Sequence, residues 1–322
     1  MIAIDRCIYA GYSSKDFNLI AGLVFDEDAG DTDTFLGREA VLSESHNGRF
    51  NRVHNYKYNN VLAPKLTFIK ESYDAFTFEE QRKVLKWLTS RDVASFLAVY
   101  HDDSEVISYE ILGGFIEINT YKNGTGAVIG VTATIESVAP WAFSALQTIT
   151  KVVSNPIDNT ITINLETDDV QNPVYPRITI QQDSTTNIII INHEMTEVDE
   201  WVEGSVFQYG DTYYWVDADG TRHTSTEDAS GFDTTSVSIK NTYVDIHNTV
   251  RVFNSLVKNN VIGETVVLDG ANRVVSSSSP RTFGDDFSWN WIPLYDGKNE
   301  LSFVGACTVI IEYRCPIKCG EF

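Results

Sequence analysis

The chain has 322 residues, 43% of them hydrophobic, which is enough to bury a core and more than one average domain needs. Its formal net charge of -21, from 24 basic against 45 acidic side chains, excludes a grip on a phosphate backbone, because that grip needs clustered cations. No apolar run approaches the roughly 18 residues of a bilayer-spanning helix, so a soluble protein without membrane insertion or specific nucleic-acid binding is expected.

From the N-terminus, "MIAIDRCIYAGYSS" lacks the basic flank and continuous apolar run of an export signal, and synthesis in a cytoplasm is expected. Between Asp26 and Asn60 the chain is polar, glycine-containing and weakly periodic. That is long for a loop, and composition leaves two readings open: an extended hairpin arm or an excursion without fixed structure. "TFEEQRKVLKWLTSRD", Thr77 to Asp92, is the only long stretch that reads as an amphipathic helix. Thr77 with Glu80 makes a capping box, and Phe78, Val84, Leu85 and Leu88 form one stripe with Trp87 beside it. The expected helix spans about 78–90 and packs flat on a sheet.

Most of the rest alternates with the period of a strand. "VIGVTATIESV" places Ile129, Val131, Ala133 and Ile135 on one face, "TITINLET" does the same with Ile161, Ile163 and Leu165, and "CTVIIEYR" with Cys307, Val309, Ile311 and Tyr313. Asn123-Gly124 and Asp219-Gly220 are hairpin-turn dipeptides. The class is therefore mainly β, with antiparallel sandwiches or barrels. A boundary is expected near residue 150, inside "ALQTITKVVSNP", which gives domains 1–150 and 151–322. "SSSSP", Ser276 to Pro280, reads as a loop between strands, and no repeat of solenoid period is present.

The chemical motifs are poor. "HEMTE" has Glu197 where a zinc-protease helix needs its second histidine. "DADG", Asp217 to Gly220, lacks the later oxygen ligands of a calcium loop and makes a natural hairpin. The glycines of "GTGAVIG" enter a strand rather than open a helix, which argues against a dinucleotide site. No Gly-x-Ser-x-Gly elbow occurs, and an acidic chain always brings some carboxylates together, so abundance is no argument for a glycosidase. Cys307, Cys315 and Cys319 lack zinc spacing and read as reduced structural thiols. No catalytic residue, cofactor or metal site is assigned. Trp289 and Trp291 in "DDFSWNWIPL" are expected on one side of a strand, where indoles either fill a core or stack on sugar.

Several stretches in order resemble the distal tail protein family of long-tailed, non-contractile bacteriophages. "GYSSKDFNLIAG" carries a Ser-x-Asp-Phe element, "NYKYNNVLAPKLTFIK" leads to the helix, and the helix ends in Trp87-Leu88. "FLAVYHDDSEVISYEILGGFIEI" is similar to the family's hairpin, and "GVTATIESVAPWAFS" to its final strand with Pro140 to Ser144. These cover most of residues 8 to 144. In the second half, "NPVYPRITIQQDSTTNIIIIN" and "LYDGKNELSFVGACTVIIEYRCP" resemble the family less sharply, and the stretch of about 197–235 departs from it as an insertion. The resemblance implies a structural virion protein: an N-terminal β-sandwich or split barrel with one helix, then a galectin-like β-sandwich. It implies a homo-hexameric ring joining the tail tube protein to the tail-tip hub or baseplate, beside receptor-binding proteins, with DNA passing through its channel. Gly48, Arg49 and Phe50 then belong to a candidate inter-subunit arm. The alternative is a carbohydrate-binding module using Trp289 and Trp291, and after it a polysaccharide hydrolase.

Overall fold

The computed structural model of the chain describes residues 2–23, 38–43, 52–58, 62–101, 105–153, 160–182, 190–192, 206–209, 212–216, 222–225, 237–261, 263–304 and 307–318. It is mainly β, in two compact units: residues 1–145 with 316–322, and residues 146–315.

The first unit contains β1 (Ile2–Ile4), β2 (Arg6–Tyr9), β3 (Tyr12–Ser13), β4 (Leu19–Leu23), β5 (Arg38–Ser43), β6 (Arg52–Tyr58), β7 (Lys65–Lys70), helix α1 (Phe78–Leu88), β8 (Ser95–Tyr100), β9 (Tyr109–Lys122), β10 (Val128–Ser137) and β11 (Ala142–Phe143). The main sheet runs β1-β4-β7-β10-β9-β8-β2-β3. β1 and β2 are one stretch of chain interrupted at Asp5, whose N–H donates to the Tyr100 carbonyl at 2.9 Å. That stretch pairs with β4 at one end of the order and with β8 at the other, so the sheet closes on itself and loses most of its free edge. Two strand glycines make the curvature possible. A Cβ at Gly130 would stand 2.3 Å from the Phe68 carbonyl oxygen, and one at Gly113 2.3 Å from that of Glu136. Only glycine lets the backbones come so close. Asn123 shapes the β9–β10 turn by accepting from the N–H groups of Thr125 and Ala127, and the positive φ falls on Gly126.

Ile4, Leu19, Phe68, Leu97, Val131 and Ile135 are buried in the core this sheet encloses, and α1 adds Val84, Trp87 and Leu88. The capping box is present: Glu80 N–H donates to Thr77 Oγ1 and Thr77 N–H to Glu80 Oε2. The stripe differs from the expected one. Phe78 is 82% exposed, and Trp87 lies at the centre of the buried face. At about 100° per residue, Phe78 points about 120° away from the direction shared by Val84, Trp87 and Leu88. Trp87 stacks on Phe17 at 4.8 Å between centroids, meets Phe68 edge-on at 5.4 Å, and donates its indole N–H to the Tyr9 carbonyl at 2.9 Å. Phe17 is delivered by a short 3-10 turn, Ser14–Phe17, capped reciprocally by Ser13 and Asp16. The Ser-x-Asp-Phe element and the Trp-Leu ending of the helix are thus two halves of one packing contact.

The second unit holds β12 (Gln147–Val153), β13 (Thr160–Leu165), β14 (Arg177–Gln182), β15 (Ile190–Asn192), β16 (Val206–Tyr209), β17 (Thr212–Val216), β18 (Arg222–Ser225), β19 (Val237–Val244), β20 (Val250–Val257), β21 (Thr265–Asp269), β22 (Val274–Ser277), β23 (Gly297–Val304) and β24 (Cys307–Tyr313). A five-stranded sheet, β12-β24-β14-β21-β22, and a four-stranded one, β13-β23-β19-β20, share one buried cluster. Ile178, Ile180, Val309 and Ile311 from the first sheet meet Ile163, Ile239, Leu301 and Phe303 from the second, which makes a sandwich. β15-β16-β17-β18 forms a separate four-stranded sheet. β22 takes in Ser276 and Ser277 of the serine tract expected as loop. Finally β25 (Pro316–Ile317) pairs with β11, so residues after Cys315 cluster with the first unit rather than with the second, where the sequence had left them.

Candidate functional site

Among the described residues no group of three or more His, Cys, Asp or Glu side chains could hold a metal ion. Cys7, Cys307 and Cys315 are buried and unbridged, while Cys319 lies outside the described residues. Burial pushes the Cys7 thiol up to about 12 against a smaller lowering by its bond with Ser14, which leaves it protonated and inert as a nucleophile. His193 to Glu197 and Asp217 to Gly220 also lie outside the described residues, although β17 and β18 pair as the arms of a hairpin across the latter.

The tryptophan pair is arranged differently from the expectation. Residues 288–293 are not strand, and Trp289 has a φ of +58°. Strand alternation therefore does not apply, because the left-handed residue turns the chain. Trp289 is 54% exposed, and its indole N–H is already given to the Gly284 carbonyl at 2.9 Å. Both indoles meet Phe287 edge-on, at 5.3 and 5.2 Å, and Trp291 packs against the sandwich core. The Arg273 guanidinium lies 3.7 Å above the Tyr175 ring and 5.7 Å from Trp291. Of this pair, Trp289 is the indole left outward.

Surfaces suited to another chain are clearer. β9 has 14 residues, but β8 covers only Tyr109 to Gly113, so among the described residues Gly114 to Lys122 have a strand on one side alone. Ile116 on this edge is 58% exposed and Tyr121 37%. Phe78 on α1 is also exposed, as are the rings of Tyr12 and Tyr73 in the same unit. Among the described residues β5 and β6 pair with each other and join no other sheet. An isolated two-stranded hairpin is marginally stable in water, so this one calls for a neighbour. Gly48, Arg49 and Phe50 lie between its strands, outside the described residues. Sequence reading missed the β9 edge, for which the one signal is a strand much longer than its predecessor.

Comparison with known proteins points in one direction. A family model described as "Phage tail protein N-terminal domain" matches residues 3–138, and one described as "Phage tail C-terminal domain" matches residues 219–313, together well over half of the chain. No curated protein matches. Among solved structures, the SPP1 Dit (gp 19.1) protein, described as a paradigm of the hub adsorption apparatus in phages infecting Gram-positive bacteria, aligns over 96% of this chain and 98% of its own with a TM-score of 0.50 at 12% identity. The phage p2 baseplate in its activated conformation with Ca aligns over 100% of both chains at 6% identity, but its TM-score of 0.42 carries no argument.

Proposed function

We propose, because the chain belongs to the phage tail protein family described by those two domain models, that it is a distal tail protein: a ring-forming connector between the tail tube and the tail-tip hub or baseplate. The observation that carries this is the order of the two tail-domain matches along a chain that shares its fold with a Dit protein over nearly all its length. The role is structural rather than enzymatic.

In this reading the first unit closes a hexameric ring. A six-fold ring needs a heterologous interface, in which one surface of each subunit meets a different surface of the next. The open edge of β9, the exposed Phe78 and the unpartnered β5–β6 hairpin supply surfaces of that kind. The hairpin, with Gly48, Arg49 and Phe50 between its strands, is the arm that reaches the neighbouring subunit. The second unit, read as the galectin-like sandwich, faces other baseplate components. DNA passes through the ring, and the chain's net charge of -21 disfavours its sticking to the wall. Class averages of the purified protein test the reading: six-fold rings with a central hole support it, and rings of another symmetry oppose it.

A further inference from the structure

β20 is an edge strand with an unusual composition. In the order β13-β23-β19-β20 its one strand neighbour among the described residues is β19, apart from an isolated bridge between Val257 and Phe287. Its far end is covered: Ser288 N–H donates to the Leu256 carbonyl at 3.0 Å, Leu256 N–H to Ser288 Oγ at 3.0 Å, and Lys258 N–H to the Asp286 carbonyl at 2.7 Å. These bonds also fix the direction of the edge. In an antiparallel pair, alternate residues turn both N–H and C=O away from the paired strand. Leu256 does so, and therefore Val250, Val252 and Asn254 do too. No bond to another chain segment occupies those three residues among the described ones.

The side chains on this stretch are as bare as the backbone. Val250 is 60% exposed and Val252 48%, and across the ladder Val244, opposite Val250, is 48% exposed. Ile246, in the turn between the strands, is 90% exposed. Natural edges are blunted by lysine, proline or a bulge. The run Val250 to Leu256 has none of these, and its one charge, Arg251, is bound to Asp245 at 3.3 Å. The opposite edge of the same sheet differs: β13 exposes Thr160, Thr162 and Asn164. In a chain of net charge -21, the β19–β20 hairpin from Thr242 to Val257 carries one acid and one base. It is a neutral, apolar edge on an acidic protein.

We infer that β20 pairs edge to edge with β20 of a second copy of this chain, antiparallel and about a two-fold axis through Val252. That register sets Val252 opposite itself, Val250 opposite Asn254 and Arg251 opposite Phe253, so no charge meets its like. The outward N–H and C=O groups of residues 250, 252 and 254 then form about six inter-chain hydrogen bonds. A second copy is favoured over a charged partner because Val250, Val252 and Asn254 carry no charge, Arg251 is already held by Asp245 and Lys240 opposite Asn254 is the one further charge beside them, and two chains of this net charge repel least where the surface is neutral. The pairing is isologous and thus independent of the heterologous contacts of a ring.

Residue 252 would be a hydrogen-bonded pair across the axis, with Cα atoms about 5.5 Å apart, inside the range a disulfide accepts. Full-length Val252→Cys, oxidised with glutathione disulfide beside the parent chain as control for the native cysteines, is expected to give a covalent dimer that the parent does not. Val252→Lys places two like charges directly opposite each other across the axis and is expected to halve the sedimenting mass, whether the parent is a dimer or a pair of rings. High salt, which screens the repulsion of two acidic chains, should strengthen the parent's pairing. A parent whose mass is unchanged by Val252→Lys, with no cross-link in Val252→Cys, overturns the inference. A lone six-membered ring would then leave the ring reading intact, and a simple dimer lost on Val252→Lys would do the reverse. If Val252→Lys does not fold, the cross-link decides.

Discussion

Replacing Arg281 by Met should disrupt a buried polar network of the second unit. The Glu264 side chain is 0% exposed, and its carboxylate accepts from Val261 N–H, from the Ser277 hydroxyl and from Arg281 at 3.0 Å. Arg281, 12% exposed, also donates to the carbonyls of Lys258 and Asn259 at 2.7 and 3.0 Å and pairs with Asp286 at 3.1 Å. One guanidinium therefore holds the turn after β20, the buried acid and the segment that covers β20's far end. A methionine of similar length fills the space but leaves the Glu264 charge buried without its counter-ion, which costs about 3–5 kcal/mol. With a urea m-value of about 2 kcal/mol/M, the midpoint of that unit should fall by about 2 M. Arg281→Met combined with Glu264→Gln removes the stranded charge and should regain about 1–2 kcal/mol, the orphaned carbonyls accounting for the remainder. Urea unfolding followed by circular dichroism measures both, and with two units the shift should be confined to one transition. A cost for Arg281→Met below about 1 kcal/mol would show that the guanidinium does not compensate the buried Glu264 carboxylate.

Two further outcomes concern the helix. Trp87→Ala removes a buried ring with its bond to Tyr9 and should cost about 3–5 kcal/mol, whereas Phe78→Ala, at an 82% exposed position, should stay within about 0.5 kcal/mol; thermal melts that rank the two equally would contradict the packing described. Glu80 is held down to about 2, first by Lys70 and then by the Thr77 N–H and hydroxyl. Because its folded pKa is depressed, the stability it contributes is complete above its ordinary pKa of 4.5 and is lost as pH falls through about 2. The stability gap between the parent chain and Glu80→Gln should accordingly be constant above pH 5 and close in strong acid, as followed by acid titration of the helical signal; a gap unaltered at pH 2 would show that the carboxylate is not so held.

What the sequence revealed and what it hid divide along local and non-local lines. The inward faces of β10, β13 and β24 were legible because a half-buried strand repeats every two residues, and the start of α1 because Thr77 and Glu80 satisfy each other within one turn. The family resemblance carried by residues 8 to 144 is borne out by the tail-domain match over 3–138, and its Phe17 and Trp87 turn out to touch. The buried side of α1 was legible through Val84 and Leu88, with Trp87 beside them, but the exclusion of Phe78 was not, since it is apolar and only the direction of the barrel core decides against it. Closure of the barrel through Asp5 and the return of Pro316–Ile317 to β11 depend on partners far along the chain and leave no local pattern. Trp289 was misread because alternation presumes extended backbone, and its φ of +58° breaks that premise.

Cryo-electron microscopy of the intact tail tip puts the proposed ring at the distal end of a phage tail to the test. Six copies of the closed first unit are expected to surround the channel directly below the last ring of tube protein, with β9 edges and β5–β6 hairpins at the subunit junctions. Density for this chain placed along the tube, on peripheral fibres, or in a ring of different symmetry would contradict it.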